Sequence, residues 1–267
     1  MDITTKQKPF HKCGSDGQIQ HALSRWYQSP LGKRLAQAEK NQLDEILPTL
    51  FGYHLIQVGQ YSDIALLQSS KVSHCSVMHT TNQAEIGSIT DSHLSGLPHA
   101  MPLASDSVDV VILNHVLEFS NYPHHVLREV ERVLIPEGHV VMMIFNPWSL
   151  WSIPRLLLRW RKVPPWCGKF ISVTRSKDWL ALLGFEVSHL QGYFFRPAMQ
   201  HTAVMDRLGW FESLGRRFWP ILGGGYLLVA KKKVVTLTPI KPKWASRRRV
   251  VAAGLVESME SWRKKAS

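Results

Sequence analysis

No run of about eighteen apolar residues occurs anywhere in this 267-residue chain, so the sequence offers no membrane-spanning helix. Cysteine is scarce. Cys13, Cys75 and Cys167 are odd in number and widely separated, which argues against a disulfide framework and a zinc-binding spacing, and implies reduced thiols and no metal. The opening residues, MDITTKQKPFHKCGSDGQ, lack the apolar centre of a signal peptide. A cytoplasmic protein is the expectation, with a peripheral place at the inner membrane open to it. Also missing are a Gly-x-x-x-x-Gly-Lys phosphate loop, a nucleophile elbow and a His-Glu-x-x-His helix. Gly223-Gly224-Gly225 is no substitute for a phosphate loop, because it precedes an expected strand rather than joining a strand to a helix.

Acidic residues are outnumbered, and unevenly so. The chain carries 32 Lys and Arg against 20 Asp and Glu, a net +12. Residues 231–267 hold eleven of the basic and two of the acidic side chains. The remainder is close to neutral, and 45% hydrophobic content gives it enough apolar surface for a sizeable core. The basic tail, 234–267, suits an anionic membrane surface or RNA, and equally a solvated terminus.

The most ordered pattern is Met101 to Trp148. Val108 to Leu113 is a continuous β-branched and apolar run that polar Asn114 and His115 close, which reads as a strand buried on both faces. Pro123 opens a helix with Val126, Leu127, Val130, Val133 and Leu134 on one face. Pro136 and Gly138 break it, and Val140 to Phe145 forms a second buried strand. Strand, helix and strand make a right-handed βαβ unit. Ligands of such sheets bind beyond the carboxyl ends of the strands, which puts Asn114, His115, Asn146 and Trp148 on the rim.

MPLASDSVDVVILNHVLEF, followed by VLREVERVLIPEGHVVM, closely resembles class I S-adenosylmethionine-dependent methyltransferases of the ubiquinone-biosynthesis type. FNPWSLWSIPRLLLRWRK and DWLALLGFEV are similar to a narrower group, the uncharacterised bacterial YafS-like methyltransferases. The resemblance spans about 26–233. It implies an α/β, Rossmann-like fold: a mostly parallel seven-stranded sheet with an antiparallel last strand and helices on both faces. It also implies S-adenosyl-L-methionine as cofactor and transfer of its methyl group to a small or lipid-like acceptor.

The same resemblance assigns the site. The family's first strand runs into an acid-x-Gly-x-Gly-x-Gly loop. Here that stretch is Gln57-Val58-Gly59-Gln60-Tyr61-Ser62-Asp63, in which only Gly59 matches. Gln57 stands for the acid, Tyr61 and Asp63 for the later glycines. His79, or Thr80 if the register slips by one, takes the place of the ribose-binding acid after the second strand, and Met101 lies where a side chain packs on the adenine. The implied cofactor-binding set is therefore Gln57, Gly59, Gln60, Tyr61, His79, Met101, Asn114 and His115. His115 is the candidate catalytic base. The departures in the glycine loop support an alternative, a non-catalytic binding module of methyltransferase descent. The basic tail supports a third, an RNA-binding or RNA-modifying protein.

Around this centre, residues 1–17 read as a mobile arm and 18–50 as two cap helices with Pro30 and Gly32 between them. Strands are expected at 53–58, 76–79, 186–194 and 225–230, with 82–99 irregular. The lid segment is 149–172, where Trp151, Leu156, Leu157, Leu158 and Trp160 alternate with Arg155, Arg159, Arg161 and Lys162; the composition also suits a membrane surface. Ser176 is the expected N-cap of a helix whose Trp179, Leu180 and Leu183 face inward. An aromatic insertion occupies 195–220. The methyltransferase-like domain thus runs over 18–233.

Overall fold

The computed structural model describes residues 16–79, 92–158, 165–197 and 222–233. Most of the arm, the middle of the lid segment, nearly all of the insertion and the basic tail lie outside the described residues. The chain divides into two units, Met1–Val234 and Val235–Ser267, and every described residue belongs to the first.

Two helices come first, α1 (Asp16–Tyr27) and α2 (Pro30–Ile46). The Oγ of Ser29 accepts from the backbone N–H of Gly32 at 3.1 Å, and Pro30 takes the first turn, where no N–H is required. Gly32 is inside α2 and not in the break between helices. A Cβ there would lie 2.4 Å from the carbonyl oxygen of Trp26, so the glycine is needed for α1 and α2 to approach.

The strands are β1 (His54–Val58), β2 (His74–His79), β3 (Ser92–Ser95), β4 (Val108–Asn114), β5 (Leu134–Phe145), β6 (Phe185–Tyr193) and β7 (Gly225–Lys232). They form one sheet in the order β3-β2-β1-β4-β5-β7-β6. All pairings are parallel except those of β7 with β5 and β6. This is the expected Rossmann-like class, and the last strand is the antiparallel one.

Three local expectations are corrected. Residues 92–95 are a strand and not irregular, paired with Ser76–His79; four residues reading Ser-His-Leu-Ser carry too little pattern to announce it. β5 starts at Leu134, directly after α3 (Pro123–Val133). Leu134 pairs with Val108 and His139 with Val110, so Pro136-Glu137-Gly138 bulges out of a strand already begun. Ser172, rather than Ser176, caps α5 (Val173–Leu182). Ser176 is buried one turn inside, its hydroxyl 2.7 Å from that of Tyr226, which donates to the carbonyl of Ile171.

Side chains alternate across the sheet with period two. Val110, Ile112, Val141, Met143, Leu227 and Val229 join one buried cluster with Leu23, Tyr27, Leu35 and Leu43 of the cap helices. Val111, Leu113, Val140, Met142 and Leu228 join the other, with Val126 and Val130 of α3 and Leu180 of α5. β1 is tied down at its start, where the carboxylate of Asp109 accepts from the N–H groups of Tyr53 and His54 at 3.0 and 2.9 Å. At the far end of β7, the Lys232 ammonium donates to the carbonyls of Glu131 and Leu134 at 2.8 and 2.7 Å, capping α3.

The lid segment is partly helical, as α4 (Ser152–Leu158). Trp151 just before it is buried among Phe145, Trp166 and Phe194, and its indole N–H donates to the Arg196 carbonyl at 3.0 Å. That ring belongs to the core and not to any membrane face. Cys75 is a free thiol.

Candidate active site

β1, β4 and β5 are parallel, so their carboxyl ends share one rim. β1 ends in Gly59, whose φ of 85° is a left-handed conformation that favours glycine. A Cβ there would sit 2.6 Å from the Asn114 carbonyl oxygen, at the end of β4. The turn is held from within: Gln57 donates through Nε2 to the Gly59 carbonyl at 3.0 Å, and the Gly59 N–H points to the Met78 carbonyl.

A half-open cleft with about 470 Å³ of empty space, its mouth included, opens over this turn. Gly59 and Tyr61 line it from β1. Val116, Phe119 and Ser120 line it from the loop after β4, and Pro98 and His99 from the loop after β3. Ile19 and Gln20 close it from α1. The Tyr61 ring is buried and stacks on Tyr27, with centroids 6.0 Å apart. Its hydroxyl lies 3.0 Å from where a Gly59 Cβ would be, so the ring bends back across the glycine and forms a wall of the cleft.

Of the eight residues expected to bind cofactor, Gly59 and Tyr61 line the cleft. Gln57, Gln60, His79, Asn114 and His115 are buried at the same strand ends. Met101 is set in the core beside Met78 and Val116, with its N–H on the Glu129 carboxylate at 2.9 Å. His79 is paired to His93, Nε2 to Nδ1 at 3.3 Å, while its own Nδ1 has no partner among the described residues. Burial, then the neighbouring His93, pushes the His79 imidazole below its ordinary pKa, so it is neutral. Ile19 and Gln20 carry no sequence signal of a site, since only the docking of α1 over the strand ends brings them to the cleft, and Phe119 reaches it from the loop after β4.

His115 has a different setting from the one its position suggested. It is fully buried, with φ 49°, and stacks on Phe145 with centroids 3.9 Å apart. Its Nδ1 is 2.8 Å from Glu118 Oε1, and its Nε2 is 3.1 Å from Glu39 Oε1. Glu39 belongs to α2 and also accepts from the Tyr27 hydroxyl at 2.7 Å; Glu118 accepts from the Phe145 N–H at 2.8 Å. Burial alone would lower the imidazole pKa, but the charge and hydrogen bond of Glu118, then those of Glu39, outweigh it and raise the value to about 9. At neutral pH the group is therefore an imidazolium between two carboxylates, with no lone pair to take a proton. The phenols of Tyr27 and Tyr193, which face the same group, are pushed well up, first by burial and then by Glu39, and stay protonated.

A test of cofactor fit comes from atoms left without partners. Gln20 Oε1, Glu39 Oε2, Gln60 Oε1, Asn114 Oδ1 and Glu118 Oε2 are buried and accept no hydrogen bond among the described residues. Each is an acceptor, and a buried acceptor without a donor costs about 1–3 kcal/mol. A site of this kind suits a ligand rich in positive charge and N–H. S-adenosylmethionine carries a sulfonium and an ammonium that such acceptors suit, and a carboxylate that they do not. His79, which the resemblance sets in place of a ribose-binding carboxylate, offers only a single free nitrogen, Nδ1. No group of His, Cys, Asp or Glu that could hold a metal ion occurs among the described residues.

Comparison with known proteins bears on family and fold. The methyltransferase-domain family matches residues 69–142. The uncharacterised protein YafS of Escherichia coli K12 is 32% identical over 218 residues, covering 81% of this chain and 84% of its own. A SAM-dependent methyltransferase from Thermotoga maritima superposes with a TM-score of 0.58 at 16% identity, over 80% of this chain and all of its own. A structure from the complex between the Haloferax volcanii Trm112 methyltransferase activator and a methyltransferase gives 0.58 at 17% identity, over 81% of this chain and 98% of its own. At these identities the two structures speak for the fold.

Proposed function

The chain belongs to the class I S-adenosylmethionine-dependent methyltransferases, in the group of the YafS protein, and on that premise we propose that it transfers the methyl group of S-adenosylmethionine to a small or lipid-like acceptor. The observation that carries this reading is the cleft over the Gly59 turn, with an unpartnered buried oxygen, Gln20 Oε1, on one of the residues that line it. When bound, the cofactor supplies an electrophilic methyl group. The chain's part is to bind, orient and exclude water. Gln20, Gln60 and Asn114 offer acceptors to a cationic ligand, while Tyr61, Val116 and Phe119 wall it from solvent. The Glu39–His115–Glu118 cluster clamps α2 to the loop after β4 beneath the cleft. An acceptor that is nucleophilic without help, such as an amine or a thiolate, needs no base. His115 takes up the role expected of it as a base only if it is released from one of its carboxylates.

The test is direct binding to the full chain. Saturating S-adenosylmethionine and S-adenosylhomocysteine, at about 100 times the dissociation constant, should each stabilise the protein by about 2.7 kcal/mol in thermal unfolding. Absence of a shift with both ligands would overturn the reading. The Tyr61 ring over Gly59 favours a second reading, a binding module that keeps the cleft without the reaction. It predicts a shift with these ligands and no S-adenosylhomocysteine formed with any acceptor offered. RNA binding by the tail concerns residues outside those described.

A further inference from the structure

Trp151 and Arg155, one helical turn apart, turn toward the core: the indole is buried and the guanidinium lies 4.5 Å from the centre of the Phe170 ring. Other side chains of the same segment are exposed among the described residues. Trp148 is 72% exposed, Leu150 46%, Ile153 61% and Leu156 77%. Four large apolar side chains are thus exposed within nine residues, and exposed apolar clusters mark interaction sites.

The face is held in place rather than frayed. Asn146 donates through Nδ2 to the Gly223 carbonyl at 3.1 Å and accepts from the Trp148 N–H at 3.1 Å. Ser149 closes the turn onto the Asn146 carbonyl at 2.8 Å, and the Ser152 hydroxyl onto that of Pro147. Side chains at 148, 150, 153 and 156 are thereby presented outward from the carboxyl end of β5, on the rim that carries the cleft.

Charge indicates the occupant. From residue 146 to 177 the sequence has, besides the inward-turned Arg155, six Lys and Arg and no Asp or Glu. Apolar side chains at the surface of an acid-free, basic segment complement a bilayer with anionic headgroups: aliphatic and indole groups enter the headgroup–acyl boundary while the cations meet phosphates. Nucleic acid would use the cations and an aromatic ring, but has no use for exposed Leu150, Ile153 and Leu156. We infer that the face of Trp148, Leu150, Ile153 and Leu156 docks the protein on an anionic membrane surface, with the cleft rim turned toward the lipid. Docking deepens the proposed function only in that it would bring a lipid-like acceptor to the rim. It is measured without S-adenosylmethionine, so the two readings fail separately.

The experiment is flotation of the full-length chain with phosphatidylcholine vesicles, with and without phosphatidylglycerol, at low and high salt. Comparison is with Trp148→Ala and with the double variant Ile153→Ser, Leu156→Ser. Both variants alter exposed side chains, and unchanged thermal unfolding confirms that they fold. Binding to phosphatidylglycerol vesicles is expected to exceed that to phosphatidylcholine alone. The double variant should lose about tenfold or more in partitioning, as two aliphatic side chains leave the bilayer. At high salt, where contacts of the basic tail are screened, wild type should still exceed the variants. Equal binding by wild type and variants, no binding to either vesicle, or an equal loss of RNA binding in the variants would each overturn the inference.

Discussion

His115 shows how far the role of a residue depends on its partners. Its folded pKa of about 9 lies above its ordinary 6.5. The stabilisation it brings is thus fully present below 6.5 and is lost as pH rises through 9. A shift of this size corresponds to about 3 kcal/mol. Denaturant unfolding of the wild type should weaken between pH 7 and 10, and His115→Gln should remove most of that slope. Glu118 lies nearer the imidazole than Glu39 does, at 2.8 against 3.1 Å. Glu118→Gln should therefore lower the histidine titration further than Glu39→Gln, as NMR of the imidazole would report. Should methyl transfer rise with pH through the same range, His115 would be acting as the base after all. Tyr61→Ala tests the cleft wall. Loss of a ring stacked on Tyr27 should cost about 3–5 kcal/mol of stability, yet S-adenosylmethionine affinity by calorimetry should hold or improve as the space over Gly59 opens. A large loss of affinity would show that the ring contacts the ligand.

At the scale of elements, α1 matters because it closes the cleft, and its seat depends on a single glycine. Gly32→Ala gains about 1 kcal/mol of helix propensity. It also places a methyl group 2.4 Å from the Trp26 carbonyl, and backbone on both sides leaves no cheap escape. The clash should win, with a net loss of about 1–3 kcal/mol. Because α1 carries Ile19 and Gln20 into the cleft, S-adenosylmethionine affinity should fall as well. An unchanged affinity would mean that α1 does not contribute to binding. Gly32 read as a helix break because glycine is a poor helix former. Its reason for being there is contact with α1, which no local pattern reveals. The two serines of ISVTRSKDW are a similar case: both can cap, and the buried Tyr226 hydroxyl claims Ser176, leaving Ser172 to the helix end.

For the whole molecule, charge is concentrated at one end. Deleting 234–267 removes eight basic and two acidic residues and leaves β7 intact through Lys232, whose ammonium is held by α3. Thermal unfolding and S-adenosylmethionine binding should be unchanged. Binding to phosphatidylglycerol vesicles should weaken at low salt, since each basic side chain near such a surface contributes roughly 1 kcal/mol. It should also become less dependent on salt. If the truncated chain unfolds, the tail packs on the domain, and the boundary near 233 is wrong.

The sequence by itself determined the β4–α3–β5 unit and the two-faced burial of Val108–Leu113. Each of these follows from a period, a turn residue or a motif within a few tens of residues. Tertiary structure alone decided that Trp151 turns inward while Trp148 stays exposed, and that Ser92–Ser95 joins the sheet. It also decided that His115 meets Glu39, a residue 76 positions earlier on α2. Periodicity reports which face of an element is buried, but not which distant side chain will lie opposite. For a titratable group in a core, the opposite side chain sets the charge, and so decides whether it can serve as a base or as a clamp.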